Sequence, residues 1–537
     1  MGDEVQSSIM LPVSNSNDEN RELVGLKLKR FENEPSVSVV NGMSDNDIDD
    51  DPKDKKLLRK LDLYIIPTMT LLYLLSFLDR VNIGQAKLNG LTATLNLSSI
   101  QYNNCLSVFF ITYILFEIPS NLALKKFRPS RWIPFIMVAW GFATTFIGSV
   151  NSYSGLLICR LILGAAESGL FPGINYYLSS WYKRREISWR VSILFCAVSL
   201  AGTFGGILAY GINHMHGLWG QEGWRWIFYV EGSITVVIGA FSYFFINDFP
   251  SDRPKFLTEN ECNRVIARLR TDAGPGASEH FSWAQVGSAF LDWKLYVWSL
   301  CGITITIPFL SLGLFSPTII ANLGFVTYQA QLLTAPPYAF AFITTMITAY
   351  FSDKYARRGI FIMFWSIFST IAYIILILVD NFALKYFAIF IAVGGLSPCT
   401  AICISFLSCN VSPHMKRATA LAFMLSMCNV GGVIGGQIYR FQDAPRFIMG
   451  HSINLVCCIL SFITAAFLVT YLHLENRRRD RVYGKVTSYT LTNDNTDTVD
   501  IFGLGSVEDR QRWGYENMSE NKIRNLGDKH ATWRYIL

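Results

Sequence analysis

Charge is scarce in this sequence. Asp, Glu, Lys and Arg make up 16% of its 537 residues, whereas apolar residues make up 51% and aromatic residues 14%. A water-soluble globule of this length would carry more charge on its surface, so a soluble enzyme is excluded. Paired zinc-type cysteine spacing is missing too. The eleven cysteines fall mostly inside apolar stretches, where they read as small core residues rather than as a disulfide framework. No metal set, phosphate loop or nucleophile is placed for chemistry, which leaves an enzyme as the least favoured reading. A cleavable signal peptide is not expected either. Roughly the first sixty residues are polar and include the acidic run Asp45, Asp47, Asp49, Asp50 and Asp51.

What the sequence does have is long apolar runs. Blocks near 60–85, 104–124, 131–150, 153–180, 189–212, 226–247, 295–321, 328–352, 360–379, 384–408, 417–439 and 448–473 approach the roughly 20 residues that a bilayer crossing needs. They predict an all-α polytopic membrane protein with about twelve transmembrane helices in two six-helix halves. The expected organisation is a disordered cytosolic tail over 1–56, a first half over 57–247, and a cytosolic loop over 248–294. A second half follows over 295–475, then a cytosolic tail over 476–537.

The net charge of +6 does not point to nucleic acid, because the basic residues cluster between apolar blocks. Lys55, Lys56, Arg59 and Lys60 precede the first span, Lys125, Lys126 and Arg128 follow the second, and Lys183, Arg184 and Arg185 follow the fourth. Later clusters are Lys354 with Arg357 and Arg358, Lys416 with Arg417, and Arg477 to Arg479. The alternation places both termini in the cytosol and the sequon at Asn96-Leu97-Ser98 on the opposite side. In the long loop, Thr258 and Glu261 have capping-box spacing. Cys262, Val265, Ile266 and Leu269 form one apolar stripe, which predicts a docked surface helix.

Two patterns recur at nearly the same offset. Gly169-Leu170-Phe171-Pro172 returns as Gly395-Leu396-Ser397-Pro398, and Gly202, Gly205 and Gly206 return as Gly432, Gly435 and Gly436. Together they suggest parallel repeats, with the glycines allowing close helix approach between moving halves or in ordinary packing. Pro172, Pro336, Pro337 and Pro398 are expected to interrupt helices and free carbonyls beside a central pathway.

Ionisable residues well inside spans are confined to the first half. They are Asp79, Arg80, Glu117, Arg160, Glu167 and Glu231. A charge near the bilayer centre costs at least ~2.5 kcal/mol, so each needs a partner or a use. Arg160 and Glu167 lie about two helical turns apart on one face. The guanidinium could hold a carboxylate while the glutamate exchanges a proton; the competing reading is a permanent buried ion pair. Asp79 and Arg80 point about 100° apart and cannot neutralise one another. Periodicity leaves open whether they are solvated at a helix end or face a cavity. Glu117 and Glu231 read as gate or structural residues, as do Asp353 and Arg357 in the second half.

At these residues the chain resembles the major facilitator superfamily, and within it the anion:cation symporters of the fungal allantoate permease group. The resemblance covers roughly 55–475. It rests on Asp79-Arg80-Val81-Asn82-Ile83-Gly84, on Arg160 to Gly173 and on Trp181-Tyr182 with Glu186 and Arg190. Trp224 to Gly232 and Asp443-Ala444-Pro445-Arg446 complete it. An intracellular superfamily motif is degraded at Leu124-Lys125-Lys126-Phe127-Arg128. Its second copy is clearer at Asp353-Lys354 and Arg357-Arg358, with alanine in place of glycine at Ala349 and Ala356. The resemblance implies a major facilitator fold, Arg80 and Arg160 as substrate-binding residues, and Asp79 and Glu167 as proton-coupling residues. Asn429 is the candidate substrate contact of the eleventh span. Pocket aromatics such as Tyr113, Tyr176 and Tyr338 are candidates to read the substrate's ring, or else packing residues.

The function so implied is proton-coupled symport of a small organic anion by alternating access. The anion would be a monocarboxylate vitamin such as nicotinate or pantothenate, or an allantoate-like nitrogenous acid, carried across the plasma membrane. Partners are then the substrate, protons and the lipid bilayer, without nucleic acid or an obligate protein partner. No cofactor is expected beyond the proton gradient. The alternatives are a neutral-solute facilitator and a non-transporting nutrient sensor of the same fold.

Overall fold

The computed structural model describes residues 52–254, 256–273, 283–412 and 414–484, and near the C-terminus 511, 513–518, 526–531 and 533–537. The chain divides into two units, Met1–Lys60 and Leu61–Leu537. Of the first, 52–60 are described, as the opening turns of a helix. The disordered tail expected over 1–56 thus lies almost wholly outside the described residues.

Helix follows helix, with no strand among the described residues. The first half contains α1 (Pro52–Leu88), α2 (Ser99–Phe127), α3 (Pro129–Ile147), α4 (Tyr153–Glu167), α5 (Leu170–Ser179), α6 (Arg184–Asn213) and α7 (Gly223–Phe245). The connecting loop carries two helices rather than the one expected, α8 (Glu259–Ala273) and α9 (Trp283–Phe290). The second half contains α10 (Trp293–Ala321), α11 (Thr327–Tyr355), α12 (Arg358–Leu378), α13 (Phe382–Asn410), α14 (His414–Ile438) and α15 (Ile448–Tyr483). Eleven segments among the described residues are long and apolar enough to cross a membrane, α4 and α5 counting as one. The third expected span is helical as α3, but Arg131, Trp132, Pro134 and Trp140 dilute its apolar character. Its 19 residues still reach roughly 28 Å, close to the thickness of the bilayer core.

Polar residues carry several helices past the apolar blocks. α1 starts at Pro52 rather than near 60, and α15 runs to Tyr483, past the expected boundary at 475. Ser98 caps α2 earlier than the expected 104: it accepts from the Gln101 backbone at 3.3 Å while the Gln101 side chain accepts from the Ser98 N–H at 2.9 Å. The same reciprocal pair joins Thr258 and Glu261 ahead of α8, at 2.8 and 3.4 Å. Cys262 and Val265 of the expected stripe are buried, and the Arg268 guanidinium donates to Glu186 at the start of α6, so α8 is docked.

The prolines behave differently from expectation. Pro172 does stand at an interruption, between α4 and α5 at Ser168 and Gly169. A Cβ at Gly169 would lie 1.9 Å from the Ser120 hydroxyl, so α2 presses on the chain at this break. Pro336, Pro337 and Pro398 instead sit inside continuous helices. A proline leaves the carbonyl four residues earlier without its N–H donor. Tyr386 donates to the Leu333 carbonyl left by Pro337 at 2.9 Å, and Thr344 donates to the Gly394 carbonyl left by Pro398 at 2.7 Å. With side chains of neighbouring helices replacing the lost donors, the helices do not break.

Two glycines of each triplet lie where the halves meet, Gly202 and Gly206 in α6 and Gly432 and Gly436 in α14, whereas Gly205 and Gly435 face helices of their own half. A Cβ at Gly206 would fall 2.3 Å from Thr334 Oγ1 and 2.5 Å from the Gln331 carbonyl, so α6 meets α11 almost backbone to backbone. Gly432 of α14 rests on the Phe110 ring of α2 in the same way. These contacts lie toward the end of the bundle at which α1 stops and α2 starts, here termed the distal end. Hydrogen bonds bind the halves there: Asn103 to the Tyr439 carbonyl at 3.0 Å, Ser107 to the Val433 carbonyl at 2.8 Å, and Gln85 to Thr334 at 3.3 Å. The Lys87 ammonium, from the end of α1, lies 4.8, 5.4 and 4.1 Å from the rings of Tyr102, Phe315 and Phe441. The distal ends are closed.

At the opposite end, part of the segment expected as a cytosolic C-terminal tail packs against the second half. The Asp528 carboxylate is buried against Lys416 at 2.8 Å and Lys294 at 3.4 Å. Arg479 donates to the carbonyls of Asp528 and Trp533 at 3.0 and 3.2 Å, and Asn476 bonds both backbone groups of Tyr535. Asp528→Ala would leave two buried ammonium groups sharing Asp292, which lies 2.8 Å from Lys416. The expected loss is about 2–3 kcal/mol, below the 3–5 kcal/mol of a pair broken outright because Asp292 remains. Chemical unfolding of the purified protein reads it, and an unchanged midpoint would show that this segment adds nothing. Burial works to raise the Asp292 carboxyl, but the Lys294 and Lys416 ammonium groups outweigh it and hold the carboxyl below its ordinary range. Its stabilisation is therefore complete above the unfolded-chain value and is lost as pH falls through the folded one.

Candidate functional site

Chain direction locates a cavity between the halves, on the terminus side of the distal seal. Tyr113 and Glu117 follow Ser107 along α2, and Met424 and Asn429 precede Val433 along α14; all four line it. Tyr73 and Phe77 of α1, Phe171 of α5, Phe195 of α6 and Phe309 of α10 supply aromatic walls. A second cavity lies nearer the seal, lined by Gln85, Thr334 and Tyr338 among others. Phe77, Arg80, Phe309 and Leu310 line both cavities, so the one cation shared by the two linings is Arg80.

Arg80 is held by charge and by rings. Its Nη2 donates to Glu167 Oε1, which also accepts from the Ser76 hydroxyl. The guanidinium carbon lies 4.5 Å from the Phe77 ring centre, 5.1 Å from Phe109 and 5.2 Å from Tyr113. Desolvated cation–π contacts of this kind contribute ~2 kcal/mol or more. The ion pair uses one oxygen of Glu167, and Oε2 has no hydrogen-bond partner; Arg80 Nε has none either. Glu167 is the last residue of α4, immediately before the break at Ser168, and is fully buried. The pair that spacing suggested, Arg160 with Glu167, is thus replaced by Arg80 with Glu167.

The other candidates separate from this pair. Arg160 is 1% exposed, and its Nε and Nη2 have no hydrogen-bond partner. Asp79 does not line either cavity. Its Oδ2 accepts from the Trp140 indole at 3.1 Å and the Thr235 hydroxyl at 2.9 Å, which turns it into the first half, toward α3 and α7. Glu231 accepts from the Asn82 amide. Glu117 faces the cavity with Oε2 unpartnered, and Asn429 lines the cavity. Tyr113 and Tyr338 line the two cavities, whereas Tyr176 packs edge-on to Phe249. Asp353 pairs with Arg358 at 3.0 Å, and Arg357 is exposed. Between them Ala356 adopts a left-handed φ of 50°, a conformation that suits the glycine it replaces in the superfamily motif.

Sequence reasoning passed over Ser76, Trp140 and Thr235. A tryptophan and a threonine inside apolar spans carry donors that need an acceptor, and Thr235 stands one turn from Glu231. That was the available signal for the direction in which Asp79 turns.

A sequence profile described as the Major Facilitator Superfamily matches residues 69–436. The chain belongs to the Major Facilitator Superfamily. Among superfamily relatives, an uncharacterised transporter of Schizosaccharomyces pombe is 36% identical over 447 residues, covering 83% of this chain and 89% of its own. A high-affinity nicotinic acid transporter of Saccharomyces cerevisiae is 33% identical over 429 residues, covering 80% of each chain. Of solved structures, a D-xylose-proton symporter superposes with a TM-score of 0.58 at 15% identity, over 75% of this chain and 96% of its own. The major facilitator fold, with twelve helices in two halves, is therefore that of an integral multi-pass membrane transporter of small solutes.

Proposed function

We propose that this protein is a proton-coupled symporter of a small organic anion, of the monocarboxylate kind that includes nicotinate. The observation that carries the reading is Arg80, a buried guanidinium within an aromatic-walled cavity, whose carboxylate partner Glu167 engages it through one oxygen. A neutral solute would leave that cation with no role beyond neutralising Glu167. A substrate carboxylate competes with Glu167 for Arg80, and a proton on Glu167 resolves the competition in favour of the substrate. The aromatic walls suit a planar or apolar body behind the carboxylate. Similarity to the nicotinic acid transporter supports this class of substrate. Arg160, Asp79 and Asn429 complete the proposed machinery, with Asp79 as a second proton-coupling acid.

Loading then proceeds with the distal ends open to the cell exterior, and release with them closed, as they are in this structure. Basic residues at the terminus end, including Arg128, Arg190, Arg358 and Lys416, support cytosolic termini, and similarity to the nicotinic acid transporter supports residence in the plasma membrane. The test is uptake of labelled carboxylate vitamins and ureides into cells lacking their own carriers, at acidic and neutral pH, with and without a protonophore. Accumulation of one acid that collapses with the gradient is the expected result. Glu167→Gln is expected to retain exchange of internal for external substrate while losing uphill uptake. Concentrative uptake intact in that variant would remove Glu167 from the coupling.

A further inference from the structure

Away from the cavity, the face of α1 that carries Asp79 and Asn82 meets the face of α7 that carries Glu231 and Thr235. The contacts form two rungs. Thr235 donates to Asp79 Oδ2 at 2.9 Å, and Asn82 Nδ2 donates to Glu231 Oε2. Asp79 and Glu231 are 1% and 2% exposed, and Asn82 is fully buried. Two carboxylates one turn apart in a dry seam cannot both be ionised without repulsion.

Hydrogen bonding tells the two seam acids apart. Asp79 Oδ2 accepts from two donors, the Trp140 indole of α3 and the Thr235 hydroxyl, both of which favour the anion, although its Oδ1 has no partner. Glu231 has a single neutral donor. Its Oε1 and the Asn82 Oδ1 are both buried acceptors without partners. Two orphan acceptors on a side-chain pair already joined at the other end lack the same thing, a proton. A carboxylic acid at Oε1 would donate to Oδ1 while Nδ2 donates to Oε2, closing an acid–amide ring that satisfies both residues.

We infer that Glu231 binds a proton shared with the Asn82 amide when the distal ends are closed, as a proton-carrying site of the transport cycle separate from the substrate cavity. Asp79 and Glu231 share one proton across the seam, and in this state it belongs to Glu231. The role in transport rests on the proton-coupled reading above, whereas protonation of Glu231 does not.

Two measurements separate these claims. Infrared difference spectra of the purified protein between acidic and alkaline pH are expected to contain a protonated-carboxyl C=O band. That band should be absent from Glu231→Gln and shifted in Asn82→Ala, which removes the amide. A band unchanged in Glu231→Gln overturns the assignment. In proteoliposomes, Glu231→Gln is expected to retain substrate exchange, because its amide donates to Asn82 as the acid does, while moving fewer protons per substrate than wild type. An unaltered proton-to-substrate ratio alongside loss of the band would make the proton a fixed one and overturn the transport role. Absence of proton movement in wild type would instead overturn the symport reading and leave the infrared result as the test of Glu231.

Discussion

Arg80→Ala is expected to abolish carboxylate uptake, and Arg80→Lys to restore little of it. Arg80 faces both cavities, with the rings of Phe77, Phe109 and Tyr113 packed about it. A substrate carboxylate taken up here gains charge-assisted hydrogen bonds that contribute roughly 1.5–3 kcal/mol each, so removing the guanidinium weakens binding by at least about tenfold. Lysine keeps the charge but loses the planar fork and the stacking on the rings. Alanine also leaves Glu167 in the interior without its cation, a loss of ~3–5 kcal/mol when a buried pair is broken from one side. Failure of Arg80→Ala through misfolding is separated from failure to bind by the double variant Arg80→Ala/Glu167→Gln. It removes both charges and is expected to recover surface expression but not uptake. Uptake recovered in the double variant would show that Arg80 serves only to neutralise Glu167.

How far this site can be read from sequence is visible in the partners. Length and apolarity were enough to place the helices, because a bilayer crossing demands roughly 20 apolar residues whatever packs around them. Six of the buried ionisable residues of the first half, Asp79, Arg80, Glu117, Arg160, Glu167 and Glu231, were equally legible, since each breaks an apolar run. Their pairing was not. Helical spacing ranks Arg160 and Glu167 together because both lie on one helix, yet Glu167 is taken by Arg80 of α1. Asp79 is adjacent to Arg80 in sequence but bonds to Trp140 and Thr235 of α3 and α7. Periodicity describes one helix at a time, and these partners come from others. The prolines teach the same point: whether Pro337 and Pro398 break a helix depends on Tyr386 and Thr344, far along the chain. The C-terminal strap escaped for a related reason. Asp528 is an ordinary acidic residue in a polar stretch, and only the depth of Lys416 and Lys294 in the bundle gives it a buried role.

Gly206→Val is expected to stop transport by a different route, propping the distal ends open. In the closed state the backbone of α6 lies against α11 so tightly that a Cβ at Gly206 would sit 2.5 Å from the Gln331 carbonyl, a backbone atom that cannot swing aside. Thr334, 2.3 Å from the same point, is also the acceptor for Gln85, so displacing it removes a hydrogen bond that joins the halves. Overpacking of this kind costs about 1–3 kcal/mol, which shifts a two-state equilibrium by roughly 5- to 150-fold. The strain exists only where the distal ends meet, so the variant favours the opposite state without touching Arg80 or Glu167. Gly211→Val is the control, on the same helix, where a Cβ meets nothing within 4 Å. A cysteine placed at Leu106, buried in the seal against Gly436, reports the change through labelling by a membrane-impermeant thiol reagent. Faster labelling and lost uptake in Gly206→Val, with Gly211→Val unchanged in both, is the expected result. Uptake that survives in Gly206→Val would mean that α6 and α11 need not approach this closely during the cycle, and the distal seal would then be a feature of one state rather than a step that transport has to pass through.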